Sequence, residues 1–458
     1  MGLRKRSMGA VAALAVSGLA LAACGSGGSG GSGGDTIELT ITQNAIAGGK
    51  NAAAADHITK WVIPEFEKTH KNVKVKFVPS GVDDEQYKTK LSLDLKSGKG
   101  ADVIDIDSIW AGEFAEAGYV KPLDEIAPDS AKWDGWAQIP EAVQGMATFN
   151  GKKYALPIGT DGRVLYFNKT LFEKAGLPAD WQPKNWQEIL DAATKLKGSG
   201  VPTPIQINAG TAMGEATTMQ GVLPLLAGAG GEVFKDGKWA GATQPLKDAL
   251  GLYQKIYSQK LGDPLLQQEA KGRDKSFAEF AAGKIGILLE GDYFWRGVVD
   301  PVAGVAKMAD RDKVVGYAQI PAIDAGKGLR GQDFVSMSGG ALRTVNPNSK
   351  HPKEAFELAA FTLSPAALKQ ETQGHVRITA RTDVNKEILA GDPLLMFISE
   401  KVLPTTAYRP PVAVYPQVSA ALQEATADVV SGKAPDQAAA DYAKKLEGLV
   451  GGAGNISS

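Results

Sequence analysis

Apolar and polar residues recur with two different periods along this chain, and the switches between them mark out its elements. Thr36 to Ile41 ("TIELTI") and Val73 to Val78 ("VKVKFV") alternate at period two, as half-buried strands do. Between them Ile58, Val62 and Phe66 fall four apart, on one face of a helix, and Tyr87, Leu91 and Leu95 repeat that spacing. Asp102 to Ile106 ("DVIDI") then reads as a short buried strand. This strand–helix–strand–helix–strand order predicts an α/β domain with a largely parallel sheet. Further on, Asn185 with Glu188 forms a capping box opening a helix through Trp186, Ile189, Leu190 and Ala193. Lys284 to Leu289 ("KIGILL") is another buried strand, and Val418, Leu422, Ala425 and Val429 are spaced for a packed helix face.

The first 34 residues follow a different logic. Arg4, Lys5 and Arg6 precede an apolar run from Met8 to Leu21, and Ala22 and Ala23 supply the small residues of a cleavage site. This is the layout of a secretory signal peptide rather than a membrane span. Leu21-Ala22-Ala23-Cys24 resembles a bacterial lipobox, in which Cys24 becomes the lipidated N-terminus. Cys24 is the only cysteine, so the exported part has no thiol from which to build a disulfide. Gly25 to Gly34 is all glycine and serine, a coil spanning roughly 17 Å that reads as a tether.

Composition narrows the partners. Lys plus Arg number 50 against 51 acidic residues, a balance that gives no electrostatic reason to expect nucleic acid. The remaining length favours two domains with a large core. Enzyme signatures are sparse: there is no HExxH, no P-loop and no GxGxxG after a strand, and GxSxG occurs only as "GGSGG" inside the glycine–serine run. His57, His70, His351 and His375 are dispersed, which gives a histidine-based metal site or triad little support.

In α/β sheets ligands sit beyond the carboxyl ends of strands, which directs attention to five loops. These are "DSIW" (Asp107 to Trp110), "PIGTDGR" (Pro157 to Arg163), "EGDYFW" (Glu290 to Trp295), "SMSGG" (Ser336 to Gly340) and "AYRPP" (Ala407 to Pro411). They combine carboxylates, backbone amides, a guanidinium and aromatic rings. Sugars require that mixture, because their hydroxyls need directional partners and their C–H faces pack on rings. Asp107 is equally placed to cap the turn near Trp110, and Tyr293 and Trp295 suit a core as well as a ligand.

Four stretches carry a family resemblance: Ala101 to Glu125, Gly151 to Leu177, Phe280 to Trp295 and Gly339 to Phe361. They resemble the extracellular solute-binding proteins of carbohydrate ABC importers, the family that includes maltose-binding protein. The resemblance implies a two-lobed periplasmic-binding-protein fold, each lobe a mostly parallel sheet flanked by helices. The lobes would be discontinuous: 35–157 with 318–372, and 158–317 with 373–458, after a signal peptide (1–23) and the lipidated tether (24–34). Hinge segments are expected near Leu156–Gly159, near residue 320 and around 370–380. It implies a monomer without metal, cofactor or catalysis, anchored by lipid to the outer face of the cytoplasmic membrane and docking on a membrane permease.

By position, the family's ligand-contacting loops correspond to Asn44, Asp107, Trp110, Asp161, Asp292, Tyr293, Trp295, Gly340 and Arg409. Asp107 and Asp161 would bond hydroxyls, Trp295 or Tyr293 would stack on a sugar ring, and Arg409 would donate to sugar oxygens. Two departures from the maltodextrin-binding pattern, Gly210 to Gly221 and Ser419 to Leu422, lack aromatic platforms and favour a mono- or disaccharide. Two alternatives stand beside this reading. One is the same fold binding a polyol, glycerophosphodiester or peptide. The other is an exported hydrolase using Asp161 with Glu290 or Asp292, for which a retaining pair would sit about 5–5.5 Å apart.

Overall fold

The computed structural model describes residues 36–457 apart from 83, 270, 303 and 374. The signal peptide, Cys24 and the tether lie outside the described residues. Two main sheets organise the rest. The first has five strands in the order Val73–Pro79, Ile37–Gln43, Val103–Asp107, Ala341–Val345, Leu156–Pro157. The second has four, in the order Val315–Ala318, Arg163–Asn168, Ile285–Gly291, Thr203–Gln206.

The predicted β-α-β-α-β run holds. Its three strands pair in parallel, the sense that crossovers through helices produce. The predicted helix faces are buried: Ile58, Val62 and Phe66 on one, Tyr87, Leu91 and Leu95 on the other. The Asn185 side chain accepts from the Glu188 N–H at 3.0 Å, and Glu188 reaches back to the Lys184 N–H at 2.8 Å, closing a capping arrangement before helix Trp186–Gly198.

Both sheets are mixed rather than mostly parallel. Ala341–Val345 runs antiparallel to both its neighbours, and Arg163–Asn168 does the same in the second sheet. These strands arrive from outside the local β-α-β run, so no crossover helix forces them into the parallel sense. Each sheet is covered on both faces. Along Arg163–Asn168, Leu165 and Phe167 enter one core while Val164 and Tyr166 enter another, because successive side chains point to opposite faces. That is why this strand carries no outward polar alternation and is buried throughout.

A third, small sheet joins Ile320–Pro321, Phe334–Ser338 and Thr406–Tyr408. Ala318, Ile320, Val335 and Met337 pack with the second sheet's core. The chain re-enters the five-stranded sheet at Ala341. Two of the expected hinge segments meet directly, since Gly159 bridges Thr379 and the Thr160 N–H donates to the Ile378 carbonyl. Among the described residues no helix is long and apolar enough to cross a membrane.

Candidate functional site

The strand ends of both sheets converge where the chain crosses between them, at Ile158–Asp161, Gly339–Ala341 and Arg377–Ile378. A cavity of about 650 Å³ opens there. Its wall on the five-stranded side includes Gln43, Asn44, Asp105, Arg343, Glu371 and Arg377, and Arg296 reaches it from the other sheet. Three of the predicted residues line it: Asn44, Asp161 and Gly340.

Asp161 sits at the crossing. Its Oδ1 accepts from the Gly339 N–H at 2.8 Å and pairs with the Arg163 guanidinium, which also donates to Gln220 at 2.6 Å. Asn44 donates to the Val82 carbonyl and to Asp84, while its own Oδ1 has no partner among the described residues. Gly340 is glycine for a steric reason: a Cβ there would lie 2.3 Å from the Gly159 carbonyl oxygen.

Asp107 and Arg409 form a second polar cluster on the far side of Gly339. Arg409 lies 3.5 Å from Asp107 and 3.2 Å from Glu215, and Glu215 also accepts from the Tyr415 hydroxyl at 2.7 Å. The arginine Nε is buried without a partner among the described residues. Asp107 also caps the turn that follows it, its Oδ1 accepting from the Ile109 N–H at 3.0 Å. The two segments that lack aromatic platforms thus meet as a polar patch, with Glu215 from one and Ser419 from the other in hydrogen-bond contact.

Two predicted residues are corrected by their burial. Trp110 is 5 % exposed and stacks on Phe114 in the core behind the first sheet. The turn after Asp107 carries its ring inward, away from the cavity. Trp295 is 3 % exposed, donates its indole N–H to Asp392 at 3.0 Å, and has the Arg311 guanidinium 3.8 Å from its ring centre. With its edge and a face occupied, it is a core residue and not a stacking platform. Trp295→Ala should therefore cost about 3–5 kcal/mol of stability in chemical denaturation. A loss below about 1 kcal/mol would contradict that assignment. Tyr293 is the exposed aromatic of this loop, 42 % accessible and beside the Arg296 guanidinium. Asp292 is buried, with Oδ2 accepting from Arg296 at 3.0 Å and Oδ1 unpartnered among the described residues.

The sequence reading passed over the charges of the cavity floor. Arg343 grips Asp105 with two hydrogen bonds, at 2.6 and 2.7 Å, and donates to Gln43 at 3.2 Å. Glu371 pairs with Arg377 at 2.8 Å. A signal was present: "DVIDID" and "ALRTV" each place a charge inside an apolar strand, and charges on buried strands must find each other. Register supplies the pairing, because Arg343 lies directly opposite Asp105.

Electrostatics separates these acids. Burial pushes the Asp105, Asp107 and Asp292 carboxyls up, and their arginines offset this only in part. At Glu371 burial pushes the same way, but Arg377, His57 and Arg343 together overrule it and hold the carboxyl below its usual range. Burial also lowers the His57 pKa; the ring stacks on Trp61, and neither nitrogen has a partner among the described residues. A histidine whose folded pKa is lowered binds fewer protons folded than unfolded over the range between the two values. Stability should then fall as pH drops below about 6.5 towards the lowered folded value. His57→Gln should flatten that part of a melting-temperature profile, and an unchanged slope would remove His57 as its source.

The model of the bacterial extracellular solute-binding proteins matches residues 51–369. This chain belongs to that family. It is a solute-binding protein and not an enzyme. A putative binding protein of Brucella abortus is 26 % identical over 369 residues, covering 79 % of this chain and 82 % of the relative. An sn-glycerol-3-phosphate-binding periplasmic protein of Rhizobium meliloti is 29 % identical over 154 residues, 33 % of this chain and 35 % of its own length. Among solved structures, a solute-binding protein from Thermotoga lettingae bound with alpha-D-tagatose aligns at TM-score 0.68 and 25 % identity, over 91 % of this chain and 100 % of its own. The sugar-binding protein MalE of Xanthomonas citri aligns at TM-score 0.75 and 17 % identity, over 91 % and 98 %, which speaks for the fold. The solute-binding protein thus has the two-lobed fold of its relatives.

Proposed function

We propose that this solute-binding protein captures a mono- or short oligosaccharide in the cavity between its two sheets and delivers it to the membrane permease of an ABC importer. The observation that carries this reading is a set of buried polar atoms near the crossing that lack a partner among the described residues, two of them on residues that line the cavity, Gln43 and Asn44. Gln43 Nε2 and Arg409 Nε are donors without partners among the described residues, and Asn44 Oδ1 and Asp292 Oδ1 are acceptors in the same condition. Buried polar groups are ordinarily paired, and a sugar hydroxyl, which both donates and accepts, completes either kind. A volume of about 650 Å³ suits a short saccharide.

In this reading Asn44, Asp107, Asp161, Asp292 and Arg409 hold hydroxyls, Gly340 lets the ligand approach the backbone, and Tyr293 supplies the stacking face. The lobes follow the discontinuous division of the chain, and contacts made with both at once bias the hinge towards closure. The tagatose-bound relative supports a sugar; the glycerol-3-phosphate-binding relative supports a second reading, a small phosphorylated polyol. A thermal-shift screen against mono- and disaccharides, polyols and glycerophosphodiesters separates them, since a ligand specific for the folded state must raise the melting temperature. A shift with the phosphorylated class alone would sink the sugar.

Cys24 is the proposed lipid anchor that keeps the receptor beside its permease. Cys24→Ala should move the protein from the membrane fraction to the medium. Retention at the membrane would refute the anchor.

A further inference from the structure

The cavity's guanidinium groups are all engaged by carboxylates. Arg343 holds Asp105, Arg377 holds Glu371 and Arg296 holds Asp292. At the crossing, Arg163 is engaged by Asp161 and Arg409 by Asp107 and Glu215. Among the described residues the cavity wall carries no lysine. Lys50, just outside it, is bound to Asp84 at 2.7 Å.

From this we infer that the cleft is a charge filter, selecting uncharged polyhydroxylated ligands and rejecting their phosphate esters. The inference rests on the sugar-receptor reading and decides between its two forms. An entering phosphate must shed its hydration and find a cation to replace it. Here each available guanidinium has a carboxylate about 3 Å away that would repel the newcomer. A neutral hydroxyl meets the opposite situation. A guanidinium has five N–H donors and a carboxylate about four acceptor positions, so a pair bonded to itself still has capacity for both kinds of partner. The paired ions are already neutralised, and a neutral ligand uses what is left over.

The filter therefore resides in the acids and not in the arginines. Asp292 and Glu371 are the acids to alter, because their partners Arg296 and Arg377 keep 36 % and 24 % of their side-chain surface exposed, more than Arg343, Arg163 or Arg409. Asp292→Asn and Glu371→Gln each remove one negative charge, retain the side-chain shape, and release a guanidinium towards the cavity.

The test is calorimetric titration of the purified protein with matched pairs: glucose and glucose 6-phosphate, ribitol and ribitol 5-phosphate, glycerol and sn-glycerol 3-phosphate. The uncharged member of the bound pair should be preferred by at least about 100-fold. Either variant should shrink that preference to about tenfold or less. A phosphate ester that binds the unaltered protein as tightly as its neutral partner overturns the filter. Inorganic phosphate provides an arm independent of any sugar: it should raise the melting temperature of the variants and not that of the unaltered protein. If no sugar or polyol binds but the variants still acquire phosphate stabilisation, the carbohydrate reading falls and the filter stands. If neither variant, each checked for folding by circular dichroism, acquires it, the filter falls.

Discussion

Arg343→Ala should cost about 3–5 kcal/mol of stability, among the largest single-residue effects in the molecule. The arginine is 4 % exposed, and its two bonds to Asp105 are the main compensation for that carboxylate's burial. Removing the cation leaves a charge inside the first lobe that water reaches poorly, and burial already pushes the Asp105 carboxyl up with the arginine present. Without it the group should take up a proton closer to neutrality, so the variant's deficit should shrink as pH falls. The sign follows from linkage: a carboxyl with a raised folded pKa gains stability on acidification and loses it as pH rises through that value. The double variant Arg343→Met with Asp105→Leu should recover most of the stability, since apolar residues of similar volume often replace a buried pair at little cost. It should not recover ligand binding. A single variant that lost less than about 1 kcal/mol would show that solvent reaches this pair.

Gly340→Ala should damage binding more than stability. Its new methyl would meet the Gly159 carbonyl oxygen at 2.3 Å and the Met146 Cε at 3.1 Å. The thioether can move, but the carbonyl is backbone. Neither strand at the crossing is free to shift: the Ser108 N–H donates to the Gly340 carbonyl and the Ile158 N–H to that of Ala341, both at 3.0 Å. Overpacking of this kind typically costs about 1–3 kcal/mol. The displacement falls on Gly159 and passes to Asp161, two residues on, which bonds the Gly339 N–H. Ligand affinity should drop at least about tenfold, because a shift of about 1 Å in a positioned group is enough for such a loss. Titration with the ligand found in the screen measures it. Unchanged affinity would place the ligand away from the crossing.

The two variants address different properties of one site. Three carboxyls of the cleft are pushed up by burial. Burial thus works against the charged form of each, and carboxyls perturbed in this way cluster at functional sites.

Local sequence determined a good deal of this. Period-two and period-four patterns gave the first three strands, the two helices between them and the packed face of helix Tyr415–Val430, because one side of each element had to be buried whatever surrounded it. The loops after the strands were also legible, since polar residues beside aromatics at strand ends have few structural uses. What local pattern could not supply was direction and partner. Trp110 and Trp295 have the composition of a ligand platform, yet both turn inward, because a ring's environment is set by elements far away in the chain. Arg343 and Asp105, 238 residues apart, became a pair only through strand register. The same holds for Asp107 with Arg409 and for Glu215 with Ser419. The sequence alone determined which elements form and which side chains are available to hold a solute. Tertiary structure decided which charges neutralise each other and which polar atoms stay open, because Coulomb and hydrogen-bond energies depend on distances that no local period encodes.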